Sequence, residues 1–178
     1  MPQDSLPDTA RQSTRFLYLY ALAVAGGSIA YIPLLTILLP VHVTKTAGES
    51  ALNLLSYIAF AGAISASLAN IGFGWASDIS GTRRPWIAVG MLLSCALLLT
   101  VPMITQPAAL IALIVCWQFA LNMMLAPLSA WAGDVVPDAQ KGMLGGLMAL
   151  APALGALSGA LVTMQGMIPD GQRLTWVA

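Results

Sequence analysis

The most informative part of this chain is a short polar segment between two long uncharged stretches. It reads Gly74-Trp-Ala-Ser-Asp78-Ile-Ser-Gly81-Thr-Arg83-Arg84 and is followed by Pro85. Gly74 and Asp78 lie four residues apart and so share one face of a helix, while Gly81 supplies the backbone freedom for a tight reversal. Pro85 suits the first turn of a following helix. The segment predicts a polar turn between two helices, in which Asp78 either pairs with Arg83 or accepts backbone N–H groups of a neighbouring helix.

The composition of the 178 residues indicates that the chain folds in a lipid bilayer. Hydrophobic residues make up 58% of the chain and charged residues 8%, and the mean hydropathy is +0.83. No Asp, Glu, Lys or Arg occurs in residues 16–44, 50–77, 85–133 or 142–169. A helix needs about 20 apolar residues to cross the hydrocarbon core of a bilayer, and each stretch is long enough. The chain is therefore predicted to be an all-α integral membrane protein.

The third uncharged stretch, residues 85–133, is too long for one span. At about 1.5 Å per residue it would extend roughly 70 Å as a single helix, so it is expected to fold back at Pro102-Met-Ile-Thr-Gln-Pro107. We therefore predict five spans and the start of a sixth, in a helix bundle that occupies residues 16–178. The predicted spans are about 16–39, 52–76, 85–104, 108–132 and 143–165, with the sixth from 174 onward.

Basic residues outside the spans predict the orientation. The larger group, on the side of the N-terminus, is Arg11, Arg15, Arg83, Arg84 and Lys141, and the smaller group is Lys45 and Arg173. Because basic loops stay in the cytoplasm, the N-terminus is predicted to be cytoplasmic, which in a bacterial cell means a protein of the inner membrane. Residues 1–15 lack the apolar core of a signal peptide and are predicted to form a disordered cytoplasmic tail.

The sequence lacks the residue patterns of the catalytic and metal sites found in soluble proteins. There is no His or Cys cluster at metal-ligand spacing, no Gly-rich phosphate loop and no pair of carboxylates inside a span. An integral-membrane enzyme would be expected to show an acidic or His cluster at one interface. We therefore predict a protein that is not an enzyme and that binds no cofactor, metal ion or nucleic acid.

Polar side chains form stripes on two predicted spans. Gln118, Asn122 and Ser129 fall on one face of span four, and Tyr20 and Tyr31 on one face of span one. A polar group in hydrocarbon is costly unless it faces a partner or water. The stripes predict either an aqueous cavity, lined by Tyr20, Tyr31, Gln118 and Asn122, or hydrogen bonds between helices.

Small residues recur at helical spacing in two other spans. Gly62, Ala66 and Asn70 fall four apart in span two, and Gly155 and Gly159 fall four apart in span five. Such stripes let helix backbones approach closely in lipid, where association depends on packing. They predict tight helix–helix contacts.

The polar turn and a second loop resemble the major facilitator superfamily of transporters. The pattern Gly-x-x-x-Asp-x-x-Gly-x-Arg-Arg, at Gly74, Asp78, Gly81, Arg83 and Arg84, is similar to that family's signature loop after the second helix. A second loop is similar to the family's Asp-x-x-Pro plus basic-Gly loop after the fourth helix. Its matching residues are Asp134, Pro137, Lys141 and Gly142.

The resemblance implies a transporter that moves a small solute, with or without a coupling ion, by alternating access. In that family the first loop holds the inward-closed state by contacting the other half of the protein, so Asp78 and Arg83 would be conformational-switch residues. Helices one and four would line the central cavity, which agrees with the positions of the two polar stripes.

The length of the chain leaves several interpretations open. The family has two six-helix halves, and the 178 residues supply five predicted spans and the start of a sixth. We expect the N-terminal half of a transporter whose C-terminal half is missing here. The alternatives are a short membrane protein that assembles with a second copy or a separate half, and a truncated transporter without function.

Overall fold

The computed structural model describes residues 11–164, and every regular element in them is helical. The all-α prediction is therefore confirmed for this part of the chain. The α-helices are α1 (Thr14–Pro33), α2 (Leu39–Ala47), α3 (Ala51–Ser80), α4 (Arg84–Thr100), α5 (Pro107–Val135), α6 (Asp138–Met148) and α7 (Ala151–Thr163).

Four helical segments of the described chain are long and apolar enough to cross a membrane. They are Thr14–Ser80, with 67 residues, Arg84–Met103, Pro107–Val135 and Asp138–Thr163. The predicted count of five spans plus the start of a sixth is not confirmed. The start of the predicted sixth span, at residue 174, and residues 1–10 of the predicted tail lie outside the described residues.

The longest segment, Thr14–Ser80, is not one straight helix. A π-helical turn, Leu34–Leu38, separates α1 from α2, next to Pro33 and before Pro40, which both lack a backbone N–H group for the α-helical pattern. Gly48 then has φ 55 and ψ −123, a conformation open to glycine and outside the helical region. Side chains of α2 and α3 pack in the same core cluster, so the chain turns back at Gly48.

The last segment is also interrupted. Ala149 and Leu150 form a turn between α6 and α7, and Pro152 follows in the first turn of α7. Proline cannot donate to the carbonyl four residues before it and its ring crowds that carbonyl. The break therefore follows from Pro152, which the sequence analysis treated as part of a continuous span.

Helix α5 is the centre of the bundle. It packs along both α3 and α4, while α1 packs along α7. Trp117, Ile114 and Leu110 of α5 are at most 1% exposed and form the main apolar core with residues of α2 and α3. The side chains on the outer surface of the described helices are also largely apolar, as expected where the solvent is lipid.

Glycines set the closest helix contacts. A Cβ atom on Gly90 of α4 would lie 2.5 Å from the Met124 nitrogen and 2.8 Å from the Ala120 oxygen, both backbone atoms of α5. A Cβ atom on Gly155 of α7 would lie 2.6 Å from the backbone oxygen of Ser28 in α1. The close packing predicted from Gly155 is confirmed, whereas the sequence analysis did not single out Gly90.

We predict that Gly90→Ala destabilises the bundle. The added methyl group would meet backbone atoms that cannot move aside, and overpacking of this kind costs about 1–3 kcal/mol. The control is Gly146→Ala in α6, where a Cβ atom would meet nothing within 4 Å and alanine favours the helix. Thermal unfolding in detergent should show a lower midpoint for Gly90→Ala only. Equal midpoints for both variants would contradict the close contact.

Candidate functional site

The polar turn joins the end of α3 to the start of α4. Gly81 is in the left-handed conformation, with φ 64 and ψ 7, and its N–H group donates to the Asp78 carbonyl at 3.2 Å. This geometry suits glycine and ends the helix. Pro85 is in the first turn of α4, where a missing N–H group leaves no helical bond unmade. The turn predicted from Gly81 and Pro85 is therefore present.

Arg83 connects the two loops that the sequence analysis identified separately. Its Nη1 atom lies 2.5 Å from Oδ1 of Asp78, and its Nη2 and Nε atoms each lie 2.9 Å from Oδ2 of Asp134, at the end of α5. The guanidinium fork suits this task because it directs several N–H groups in fixed directions. One side chain thus ties α3, α4 and α5 together at one end of the bundle.

Ser77 is a member of this cluster that the sequence analysis missed. Its side chain is 1% exposed, it accepts a hydrogen bond from Nη1 of Arg83 at 2.8 Å, and it donates to the Gly74 carbonyl at 2.8 Å. The spacing gives one signal: Ser77 lies four residues before Gly81, on the last turn of α3. The buried hydroxyl there accepts a hydrogen bond from one N–H group of Arg83.

The charge of Arg83 is secured by its partners. Desolvation alone would lower the pKa of Arg83, but the hydrogen bonds to Asp134 and Asp78, with their negative charges, outweigh it and raise the pKa above its ordinary value. The guanidinium therefore stays protonated.

The remaining residues of the two loops stay apart from the Arg83 cluster. Arg84 stacks over Trp131 at 5.7 Å. Pro137 is buried at the start of α6, and Lys141 pairs with Asp138 at 2.6 Å. A Cβ atom on Gly74 or Gly142 would meet nothing within 4 Å. Both glycines thus leave open surface.

The segment before α1 also joins this end of the bundle. The backbone N–H of Gln12 donates to Oε1 of Gln140 at 2.8 Å, and Nε2 of Gln140 donates to the Gln12 carbonyl at 2.9 Å. Nε2 of Gln12 donates to the Val135 carbonyl at 2.9 Å. A glutamine at the third position of a helix ordinarily reaches back to the N–H of the capping residue. Here that residue is Pro137, which has no N–H, so Gln140 is left to bind Gln12.

The predicted cavity residues separate into three environments. Tyr20 is 3% exposed; its hydroxyl donates to the Leu128 carbonyl, and its ring packs near Phe16 and Trp131. This position matches the interhelical hydrogen bond left open above. Tyr31 lines a cavity of about 320 Å³ between α1, α3, α5 and the α6–α7 turn. Gln118 lines a second cavity of about 380 Å³ between α2, α3 and α5.

Asn122 lies behind the first cavity, and Asn70 lines it. Asn122 is 8% exposed and its Oδ1 accepts a hydrogen bond from Nδ2 of Asn70 at 3.3 Å. Asn70 is exposed and shares the cavity wall with Tyr31 and Ser129. The sequence analysis interpreted Asn70 as part of a packing stripe, because its partner lies 52 residues away along the chain.

Comparison with known families decides the identity of this arrangement. Residues 8–164 match the family described as Major Facilitator Superfamily. The chain belongs to that family. As a member of the Major Facilitator Superfamily it is a multi-pass membrane protein associated with transport and is not an enzyme. Comparison with curated proteins and with solved structures gives no match. Residues 11–164 contain no group of His, Cys, Asp and Glu that could hold a metal ion.

We predict that Arg83→Lys loosens both loops of this facilitator. A single ammonium group cannot hold two carboxylates in the geometry of the guanidinium fork. Both carboxylates are more than half exposed, so the loss is about 1 kcal/mol or less. Hydrogen exchange should become up to about five-fold faster at the α3–α4 turn and at the end of α5. Asp138→Asn, which removes an exposed pair within α6, should change neither. Unchanged exchange near Asp134 in Arg83→Lys would contradict the bridge.

We predict that Gln140→Ala frees the segment before α1. The variant loses two hydrogen bonds to Gln12, and a net loss of about 1 kcal/mol corresponds to roughly five-fold more of the open form. Trypsin should then cleave after the exposed Arg11 correspondingly faster. The matched control is Gln106→Ala, since Gln106 is exposed at the start of α5 and its side chain makes no capping bond. Equal cleavage rates in the two variants would show that Gln140 does not hold this segment.

Proposed function

We propose that the protein is part of a secondary active transporter that moves a small solute by alternating access. The observation that carries the proposal is the Arg83 bridge between the two loops. Its carboxylates are more than half exposed, and exposed ion pairs contribute about 0–1 kcal/mol each. Such a bridge holds one arrangement of helices and breaks at little cost when the helices move. That is the property a conformational switch needs.

The cavity beside Asn70 supports a solute path. Asn122 lies near the middle of α5, so the cavity is close to the centre of that span. Transporters of this kind bind solutes near the bilayer midplane, between two halves that rock against each other. Tyr31 lines the same cavity as Asn70, and Gln118 lines the second cavity. Asn122 supports the wall of the first cavity through its hydrogen bond to Asn70. Tyr20 would serve helix packing instead.

A second helical half completes this proposal. Gly74 and Asp78 share the open surface at the end of α3, and the same helix exposes Ile71, Trp75 and Ile79. A helix of the second half can approach closely at Gly74, where no side chain intervenes, and reach Asp78. The second half would be a C-terminal bundle. The second candidate is a copy of this chain, which would meet the same open surface.

The distribution of charge supports a proposal for the side of the membrane and for the coupling. Arg11, Arg83 and Lys141 lie at the end of the bundle that holds the Arg83 bridge, and this excess of basic residues supports a cytoplasmic position for that end. Residues 16–44, 50–77, 85–133 and 142–164 contain no Asp, Glu, Lys or Arg. A coupling proton carried by a carboxylate would therefore use a residue outside these stretches.

We predict that Asp78→Asn impairs transport and leaves membrane insertion intact. The variant keeps the shape of the side chain and removes the charge that faces Arg83, and a shift of about 1 kcal/mol in the conformational equilibrium changes a population roughly five-fold. Uptake in proteoliposomes of a labelled solute found by library screening should fall by a similar factor, with equal amounts of inserted protein. Asp138→Asn is the control with normal uptake. Normal uptake in Asp78→Asn would remove the switch role from this residue.

A further inference from the structure

The orientation of the Asn122 amide is fixed by chemistry. One of its amide atoms lies 2.9 Å from the backbone carbonyl of Gln118. A carbonyl oxygen only accepts hydrogen bonds, so this atom is the donor Nδ2. Oδ1 of Asn122 therefore faces the other way, toward α3. Because Asn122 is 8% exposed, packing leaves its amide little freedom to turn over.

The orientation of Asn70 follows from that of Asn122. The atom of Asn70 that lies 3.3 Å from Oδ1 of Asn122 must be its donor, Nδ2. Turning the Asn70 amide over would place two oxygen atoms against each other. The Oδ1 atom of Asn70 is thus left for the cavity, together with the second N–H of its amide. A chain of hydrogen bonds runs from the Gln118 carbonyl through Asn122 to Asn70. It determines that Oδ1 of Asn70 faces the cavity.

The rest of the cavity wall is uncharged. Its other polar side chains are Ser28, Tyr31 and Ser129, and the remaining wall is apolar. Hydroxyl groups both donate and accept, so they adapt to a solute, whereas the amide oxygen of Asn70 only accepts. No charged side chain belongs to the wall formed by the described residues. A charged solute would lose hydration against this wall and gain no counter-charge from it, which is unfavourable.

We propose that this cavity selects uncharged solutes that carry an O–H or N–H donor, that Asn70 accepts that donor, and that Asn122 is the positioning residue that orients Asn70. The inference rests on the transport function proposed above and adds its solute class. Asn70 contacts the solute, whereas Asn122 acts through Asn70. The two residues therefore differ in what their loss does to selectivity.

Uptake measurements on the intact protein in proteoliposomes test the solute class. The probes are labelled D-glucose, D-xylose and mannitol as neutral compounds, and gluconate and glucosamine as anionic and cationic counterparts. Uptake of at least one neutral probe in preference to both charged probes is expected. Preferred uptake of a charged probe overturns the inference and leaves the transport function standing. Uptake of none of the neutral probes contradicts the inference, and only failure of the library screen as well contradicts the transport function.

Variants then separate the two roles. Asn70→Leu should raise KM for the transported neutral probe about ten-fold, since a solute donor loses its acceptor, with kcat changed much less. Asn53→Leu replaces an exposed asparagine of the same helix far from the cavity and should leave KM unchanged. An unchanged KM in Asn70→Leu overturns the inference. Asn70 is exposed, so this variant does not depend on refilling a buried site.

Asn122→Leu has a distinct signature. Without Asn122 the Asn70 amide can turn over and present both N–H groups in place of its oxygen, so a fully O-methylated analogue of the probe, which can only accept, should compete better than with the wild-type protein. We expect the ratio of inhibition constants, analogue over probe, to fall about five-fold. A merely structural role would lower activity and leave this ratio unchanged. An unchanged ratio overturns the positioning role of Asn122, and Asn70→Leu still tests the contact itself.

Discussion

Close contact between helix backbones at glycines is the constraint on which the rest of this structure depends. In lipid, apolar side chains gain little by moving from the bilayer to a helix interface, so helices associate through packing and hydrogen bonds. Gly90 brings α4 against the backbone of α5, and Gly155 brings α7 against α1. Since Arg83 directly precedes α4 and Asp134 lies in the last turn of α5, the first contact also places the two partners of the ion bridge at the same end of the bundle.

Charged and uncharged polar groups have separate places along the helices. Arg83 and its carboxylates lie where the helices end, and exposure to water keeps their interaction weak enough to be reversible. Asn70 and Asn122 lie within the spans, where two amides bond to each other without the desolvation penalty of a charge. A bundle built in this way can change the contacts at its end while the solute contact near its middle is retained.

Local signals in the sequence predicted the helical class and the turn at Gly81, and they gave the Asp78–Arg83 pair as one of two alternatives, because glycine conformation, charge and helical spacing act over a few residues. The uncharged stretches did not reveal that the helix continues past Pro40 to Ala47, or that Pro152 interrupts the last segment. Contacts between distant residues were not predicted either. One example is the contact of Gln12 with Gln140, which lie 128 positions apart. Tyr20 and Tyr31 share a helical stripe, yet different neighbours give one a packing role and the other a cavity.

The central claim is that the polar face beside Asn70 meets water inside the membrane. Thiol accessibility tests it most directly, in protein whose Cys95 and Cys116 have been replaced by serine. Ser129→Cys is then treated with a membrane-impermeant thiosulfonate reagent, with Thr82→Cys in the loop and Leu92→Cys on the lipid-facing surface for comparison. The account predicts that Ser129→Cys reacts at a rate close to that of Thr82→Cys. Reaction as slow as that of Leu92→Cys would contradict the aqueous cavity.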